Sequence, residues 1–154
     1  QYEYAILILK KFLEEPDGWI ENKLNSCLVL SCCYQAMGEN AAAFDILFYS
    51  FTMDVPRAEI CCEIGRLFME KKEYVTAAYW YQQAFLAPRK KKNGGFYIAD
   101  SHDFIPAIQM CVCLDKAGRH REAFEFHKKA RVLKPLHQAV IGNEKYFRDV
   151  WGME

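Results

Sequence analysis

The chain has 154 residues, 52% of them apolar, enough to bury a sizeable core and too many for a disordered or purely solvating segment. Twenty basic and twenty acidic residues give a formal net charge of zero, so the broad positive field of a nucleic-acid binder is missing and no nucleic-acid partner is expected. The longest apolar stretches, Tyr4 to Leu9 and Cys27 to Tyr34, fall short of the roughly 20 residues that span a bilayer, so no transmembrane segment is expected.

The opening residues Gln1-Tyr2-Glu3-Tyr4-Ala5 carry no initiator methionine and no signal-peptide pattern. They already lie in a helical pattern with Ala5, Leu9 and Phe12 on one face, which predicts a leading helix over 1–18 and a piece of something longer. Beyond it a period emerges. Ala43 and Ser50, Ala77 and Ala84, and Ala123 and Ala130 each stand seven residues apart. Gly38 and Gly118 each precede the first alanine of their set by five residues, Gly65 precedes Ala77 by twelve, and Pro56, Pro88 and Pro135 mark the exits. From Ala43 to Ala77 is 34 residues; from Ala77 to Ala123 is 46, one period plus a twelve-residue insertion.

Each unit divides into two helical halves. First halves are predicted at Trp19 to Ala36, Pro56 to Lys71 and Phe104 to Lys116, and second halves at Asn40 to Phe51, Tyr74 to Phe85 and Arg121 to Leu133. Short turns, Gly38-Glu39-Asn40 and Ala117-Gly118-Arg119, suit antiparallel pairs. The expected organisation is one repeat domain over 1–154, with repeats at 24–55, 58–89 and 104–135, an insertion loop at 90–103 and a capping helix at 136–154. Tyr146, Phe147 and Trp151 would give that cap its apolar face, which an open stack requires at its end.

This pattern resembles the tetratricopeptide repeat. The resemblance implies an all-α, right-handed superhelix of antiparallel helix pairs with flanking helices. It places Ser31, Gly65 and Cys111 at close helix approaches, and Tyr34, Phe68, Leu114, Leu47, Tyr81 and His127 at large packing positions. Two stretches are similar to something narrower. "AEICCEIGRLFMEKKEYVTAAYWYQQAF" and "FIPAIQMCVCLDKAGRHREAFEFHKKARVLKP", with Gly95-Phe96 between them and "NEKYF" after, look like the C-terminal repeat region of bacterial family-2 glycosyltransferases, chiefly Gram-positive. In that family a separate nucleotide-sugar domain carries the chemistry, and the repeats serve assembly or acceptor recognition. Its metal-binding Asp-x-Asp motif has no counterpart: Asp100 and Asp103 are separated by two residues and sit in a loop. The resemblance therefore implies a parent enzyme and gives this chain no catalytic residue.

Seven cysteines, including the adjacent pairs Cys32/Cys33 and Cys61/Cys62, form an awkward disulfide framework and suit reduced, buried thiols in a cytoplasmic setting. No C-x-x-C pair occurs, and His120 and His127 lie seven residues apart rather than four, so neither metal nor cofactor is expected and packing is the reading for both histidines. The run Arg89-Lys90-Lys91-Lys92 is a candidate anion-holding loop for a phosphate, an acidic lipid surface or an acidic partner, or a solvated loop. With His102 and Asp103 it is also the one place that could reach a nucleotide-sugar diphosphate directly.

In tetratricopeptide repeats the concave groove is lined by first-helix residues. Here the resemblance assigns Asn25, Leu28, Cys32 and Gln35 from the first unit, then Glu59, Cys62, Arg66 and Met69 from the second. Ile108, Val112 and Asp115 follow from the third. Leu28, Cys62 and Ile108 stand where a carboxylate clamp needs polar groups, which argues against recognition of a peptide terminus. The expected partner is a protein or peptide, including a second copy as a homodimer, either as part of a glycosyltransferase or as a free-standing adaptor binding a peptide in its groove.

Overall fold

The computed structural model describes residues 1–89 and 97–154. These residues form eight α-helices, two short 3₁₀ turns and no strand. In chain order they are α1 (Tyr2–Glu14), α2 (Ile20–Ala36), α3 (Asn40–Tyr49) with a 3₁₀ turn at Ser50–Thr52, α4 (Ala58–Glu70) and α5 (Tyr74–Leu86). A second 3₁₀ turn (Ala99–His102) precedes α6 (Phe104–Lys116), α7 (His120–Leu133) and α8 (Gln138–Trp151). The helices fall where the period of 34 places them, to within two residues at most ends.

The local cause of each hairpin is the same hydrogen-bonded turn, met three times. After α2 the amide of Glu39 donates to Tyr34 O at 2.8 Å and that of Gly38 to Gln35 O at 2.9 Å; after α6, Arg119 donates to Leu114 O at 2.8 Å and Gly118 to Asp115 O at 3.0 Å. Gly38 and Gly118 stand at φ 76° and 81°, the left-handed region that ends a helix without steric cost in glycine. After α4 the same bonds run from Glu73 to Phe68 O and from Lys72 to Met69 O, with Lys72 at φ 59°. The middle turn thus keeps the geometry without the glycine, five residues before Ala77 as the others are before Ala43 and Ala123.

Packing follows the period as well. Ala43, Ala77 and Ala123 are wholly buried, as are Ala84 and Ala130. The largest cluster joins Cys61, Cys62, Tyr81, Cys113, Leu114 and Phe124 from α4 to α7 with Phe147 of α8. At the front, Leu13 of α1 packs with Cys27 and Leu30 of α2. At the rear, Val140 of α8 packs with Phe104, Ala107, Ile108 and Ala130. Both flanking helices therefore cover apolar surface that the paired helices would otherwise expose.

One polar contact deep in the stack escaped the sequence reading. Arg57, the residue before α4, reaches back to the first turn of α2, where its Nη1 and Nη2 donate to Glu21 Oε2 and Oε1 at 2.9 and 2.8 Å. Nη2 also donates to Asp54 Oδ2 at 2.6 Å. Arg57 and Glu21 are both about 95% removed from solvent, at 4% and 5% exposure, so this bidentate pair fixes the first unit against the second in a water-poor site.

Candidate interaction surface on the first helices

The face contributed by α2, α4 and α6 divides into an open part and a covered part. In the open part Asn25 and Cys32 are exposed and Leu28 is half-buried against the α3–α4 cluster. Gln35 and Arg66 belong to a network that spans the two units. Gln35 Nε2 donates to Ser31 Oγ and to Glu63 Oε1, each at 3.1 Å, while Gln35 Oε1 accepts from Arg66 Nη2. Arg66 further donates through Nε to Glu63 Oε2 at 3.0 Å and through Nη1 to Glu70 Oε1 at 2.5 Å. The guanidinium is thereby saturated along one edge. Glu63 and Glu70 are the residues that periodicity alone missed: they sit one and four residues from Cys62 and Arg66 in the same helix, and only the Arg66 geometry brings them into the surface.

In the covered part the chain itself occupies the face. Glu59 is buried, with Oε1 accepting from the amide of Ile98 at 2.8 Å, and Cys62 donates from Sγ to Ser101 O at 3.3 Å. Ile108 is buried in the α6–α8 cluster. All three present almost no side-chain surface to solvent, Glu59 and Cys62 because the segment before α6 lies against α4, and Ile108 because α8 packs over it. Met69 is half-buried, its Sδ 3.6 Å from Tyr81 Oη, which donates to it.

Val112 and Asp115 border a cleft of about 250 Å³ shared with Asn143 and Tyr146 of α8. Asp115 is fully engaged there. Tyr146 Oη donates to its Oδ2 at 2.8 Å, and His120 Nδ1 lies 2.6 Å from its Oδ1. Trp151 Nε1 donates to Tyr146 Oη at 3.1 Å, and the Trp151 ring stacks on His120 with centroids 3.8 Å apart. His120 therefore fastens the end of α8 to the α6–α7 turn. His127 is wholly buried between Phe124 and Phe147, with Nε2 2.8 Å from Glu144 Oε2. Both histidines pack, as their spacing implied.

The insertion is described only in part. Arg89 is exposed, and its Nη2 donates to Asp103 Oδ2 at 3.1 Å; Lys90, Lys91 and Lys92 lie outside the described residues. Asp103 also caps α6, accepting from the amide of Phe104 at 2.5 Å, and Asp100 pairs with Lys134. His102 is buried, stacked on Tyr97, with Nε2 3.9 Å from Glu59 Oε1 and Nδ1 without a hydrogen-bond partner among the described residues. Burial holds its pKa below the usual imidazole value, with Arg89 acting in the same direction and Glu59 and Asp103 opposing.

All seven cysteines are free thiols, and six are buried. Burial pushes Cys27 up to about 11 and Cys61, Cys111 and Cys113 up to about 12, far from the thiolate range in which a cysteine attacks or binds metal. Cys32, by contrast, is exposed. No set of three or more His, Cys, Asp or Glu among the described residues is arranged to hold a metal ion. No described helix is long and apolar enough to cross a membrane.

No family model matches this sequence, and no curated protein matches it. Among solved structures the chain is similar to the crystal structure of MamA, with a TM-score of 0.66 and 24% identity over 96% of this chain and 81% of that one. At that identity the likeness shows the fold, an all-α, tetratricopeptide-like stack of helix pairs.

Proposed function

We propose that this chain is a protein-interaction or assembly module with no catalytic role of its own, and that its setting is the C-terminal repeat region of a bacterial glycosyltransferase, where it serves self-association or acceptor positioning. The observation that carries the first part is the Gln35–Glu63–Arg66–Glu70 network, an ordered and solvent-facing polar surface spanning two units beside exposed Asn25 and Cys32. Such a surface offers a partner fixed donors and acceptors at little further ordering cost. What supports the setting is the likeness of residues 58–85 and 104–135, followed by Asn143 to Phe147, to that family's repeats.

Light scattering on the purified chain over about a hundredfold range of concentration tests the assembly role. A dimer that persists on dilution, and that Arg66→Ala dissociates, agrees with it; a monomer throughout removes self-association and leaves binding of a different protein. The setting has its own test in the coding sequence ahead of Gln1. A nucleotide-sugar-binding domain encoded there agrees with it, and an in-frame start immediately before Gln1 makes the chain a free-standing adaptor.

A further inference from the structure

A second surface lies away from the first-helix face, where α7 and α8 diverge. It is an open groove of about 360 Å³ with a floor of Pro135, Val140 and Ile141. Its walls carry Arg131, Lys145 and Arg148, with Glu144 between them. The carboxylate neutralises only Arg131 among these walls. Glu144 Oε2 is engaged by His127 and Oε1 accepts from Arg131 Nη1 at 2.8 Å, and the His127 contact first, then Arg131, hold its carboxyl below the usual range. Lys145 has no ion-pair partner among the described residues, and Arg148 touches only its neighbour Asp149, at 3.4 Å. Lys145 thus stands unpaired, and Arg148 holds only a long, exposed contact with Asp149, above an apolar floor.

The chain neighbours of Arg131 and Pro135 add exposed apolar surface. Leu136 and Val132, in and before the α7–α8 connection, are 84% and 82% exposed, the most exposed large apolar side chains among the described residues. Large apolar groups beside unpaired charge are a combination that a soluble surface rarely keeps without a use. A bare phosphate would answer the cations and leave the floor wet, and an uncharged apolar peptide would leave the cations desolvated and unpaired. From Val140 to Arg148 the groove follows about 12 Å of α8, the span of about four extended residues.

We propose that the α7–α8 groove is a docking site for an acidic peptide segment of a partner protein, with carboxylates on Lys145 and Arg148 and an aliphatic side chain over Ile141. This site is independent of the first-helix face and of the glycosyltransferase setting.

The probe is a fluorescein-labelled peptide of about eight residues with alternating Glu and Leu, added to the whole chain and followed by anisotropy. Binding is expected to weaken as salt is raised from about 0.05 to 0.5 M. It should fall at least about tenfold in Lys145→Glu/Arg148→Glu, while Lys10→Glu, an exposed charge reversal on α1, binds as the parent does. Ile141→Ser should weaken binding with the salt dependence retained. All four positions are at least partly exposed, and circular dichroism of each variant checks that the fold is unchanged. Equal binding by the double variant overturns the proposal, as does tighter binding of the corresponding Lys/Leu peptide. Displacement by inorganic phosphate at the same concentration as by unlabelled peptide would make this a simple anion site and also overturn it. So would a parent chain that self-associates and a double variant that does not, since the occupant is then a second copy.

Discussion

A Cβ placed on Gly65 would stand 2.9 Å from Cε2 and 3.0 Å from Cδ2 of Tyr81, whose ring is itself buried. Neither atom is a loose chain end that can swing aside. Gly65→Leu is therefore expected to cost about 3 kcal/mol or more through overpacking, read as a lower denaturation midpoint with an unchanged slope. The thiols give a second residue-scale prediction. Cys32 is the one exposed cysteine of the seven, so titration of the native chain with a disulfide reagent should consume one thiol quickly and the other six only on unfolding. Cys27 and Cys61, 34 residues apart, stand at the same phase of the period and both face inward. Cys32 was assigned to the first-helix groove and its neighbour Cys33, 100° away on the helix, was not; in the structure Cys32 is exposed and Cys33 buried.

At the scale of elements, the contact between Arg57 and Glu21 joins two helices 36 residues apart in a site with little solvent. Arg57→Met should cost about 3–5 kcal/mol, because it withdraws the bidentate partner of a buried carboxylate. In Glu21→Leu/Arg57→Met, where the charge is removed with its partner, much of that loss should return, and urea denaturation of the single and double variants measures the difference. The segment before α6 makes a pH prediction. His102 is buried with its pKa held below its ordinary value of 6.5, so the unfolded chain takes up the proton first. Its contribution to stability is complete above about pH 6.5 and is lost as the pH falls below that value. The melting temperature should drop from about pH 7.5 to 5.5, and His102→Phe, which cannot titrate, should flatten part of that slope. Helix boundaries were legible because proline, glycine and the small residues mark both ends of every unit. The docking of residues 97–102 on α4 was not, because it rests on main-chain partners, Ile98 N and Ser101 O, that any residue supplies.

Over the whole molecule, the period of 34 determined the architecture in advance because each unit buries its face only against its neighbours. The first-helix face was read from the sequence as one groove along α2, α4 and α6, whereas in the structure Glu59, Cys62 and Ile108 are buried and the face is interrupted. Which of those positions stay open depends on where an aperiodic insertion lies, and Glu59 and Cys62 carry no mark of it. Similarly, the basic groove between α7 and α8 is invisible to a repeat-based reading, since Lys145 and Arg148 lie in the cap, outside the repeating units.

The stack passes its packing from each helix to the next in chain order, with α1 held mainly by α2 and α8 closing the other end. Amide exchange should record this as a gradient in time: protons in α4, α5 and α6 should outlast those in α1 and α8 by at least about a hundredfold. A chain built from such local contacts also has little loop-closure entropy to overcome, and it should refold within about milliseconds from a seed in the middle units, the ends closing last. The termini, being the last parts to order, would be the first to open under load or mild denaturant.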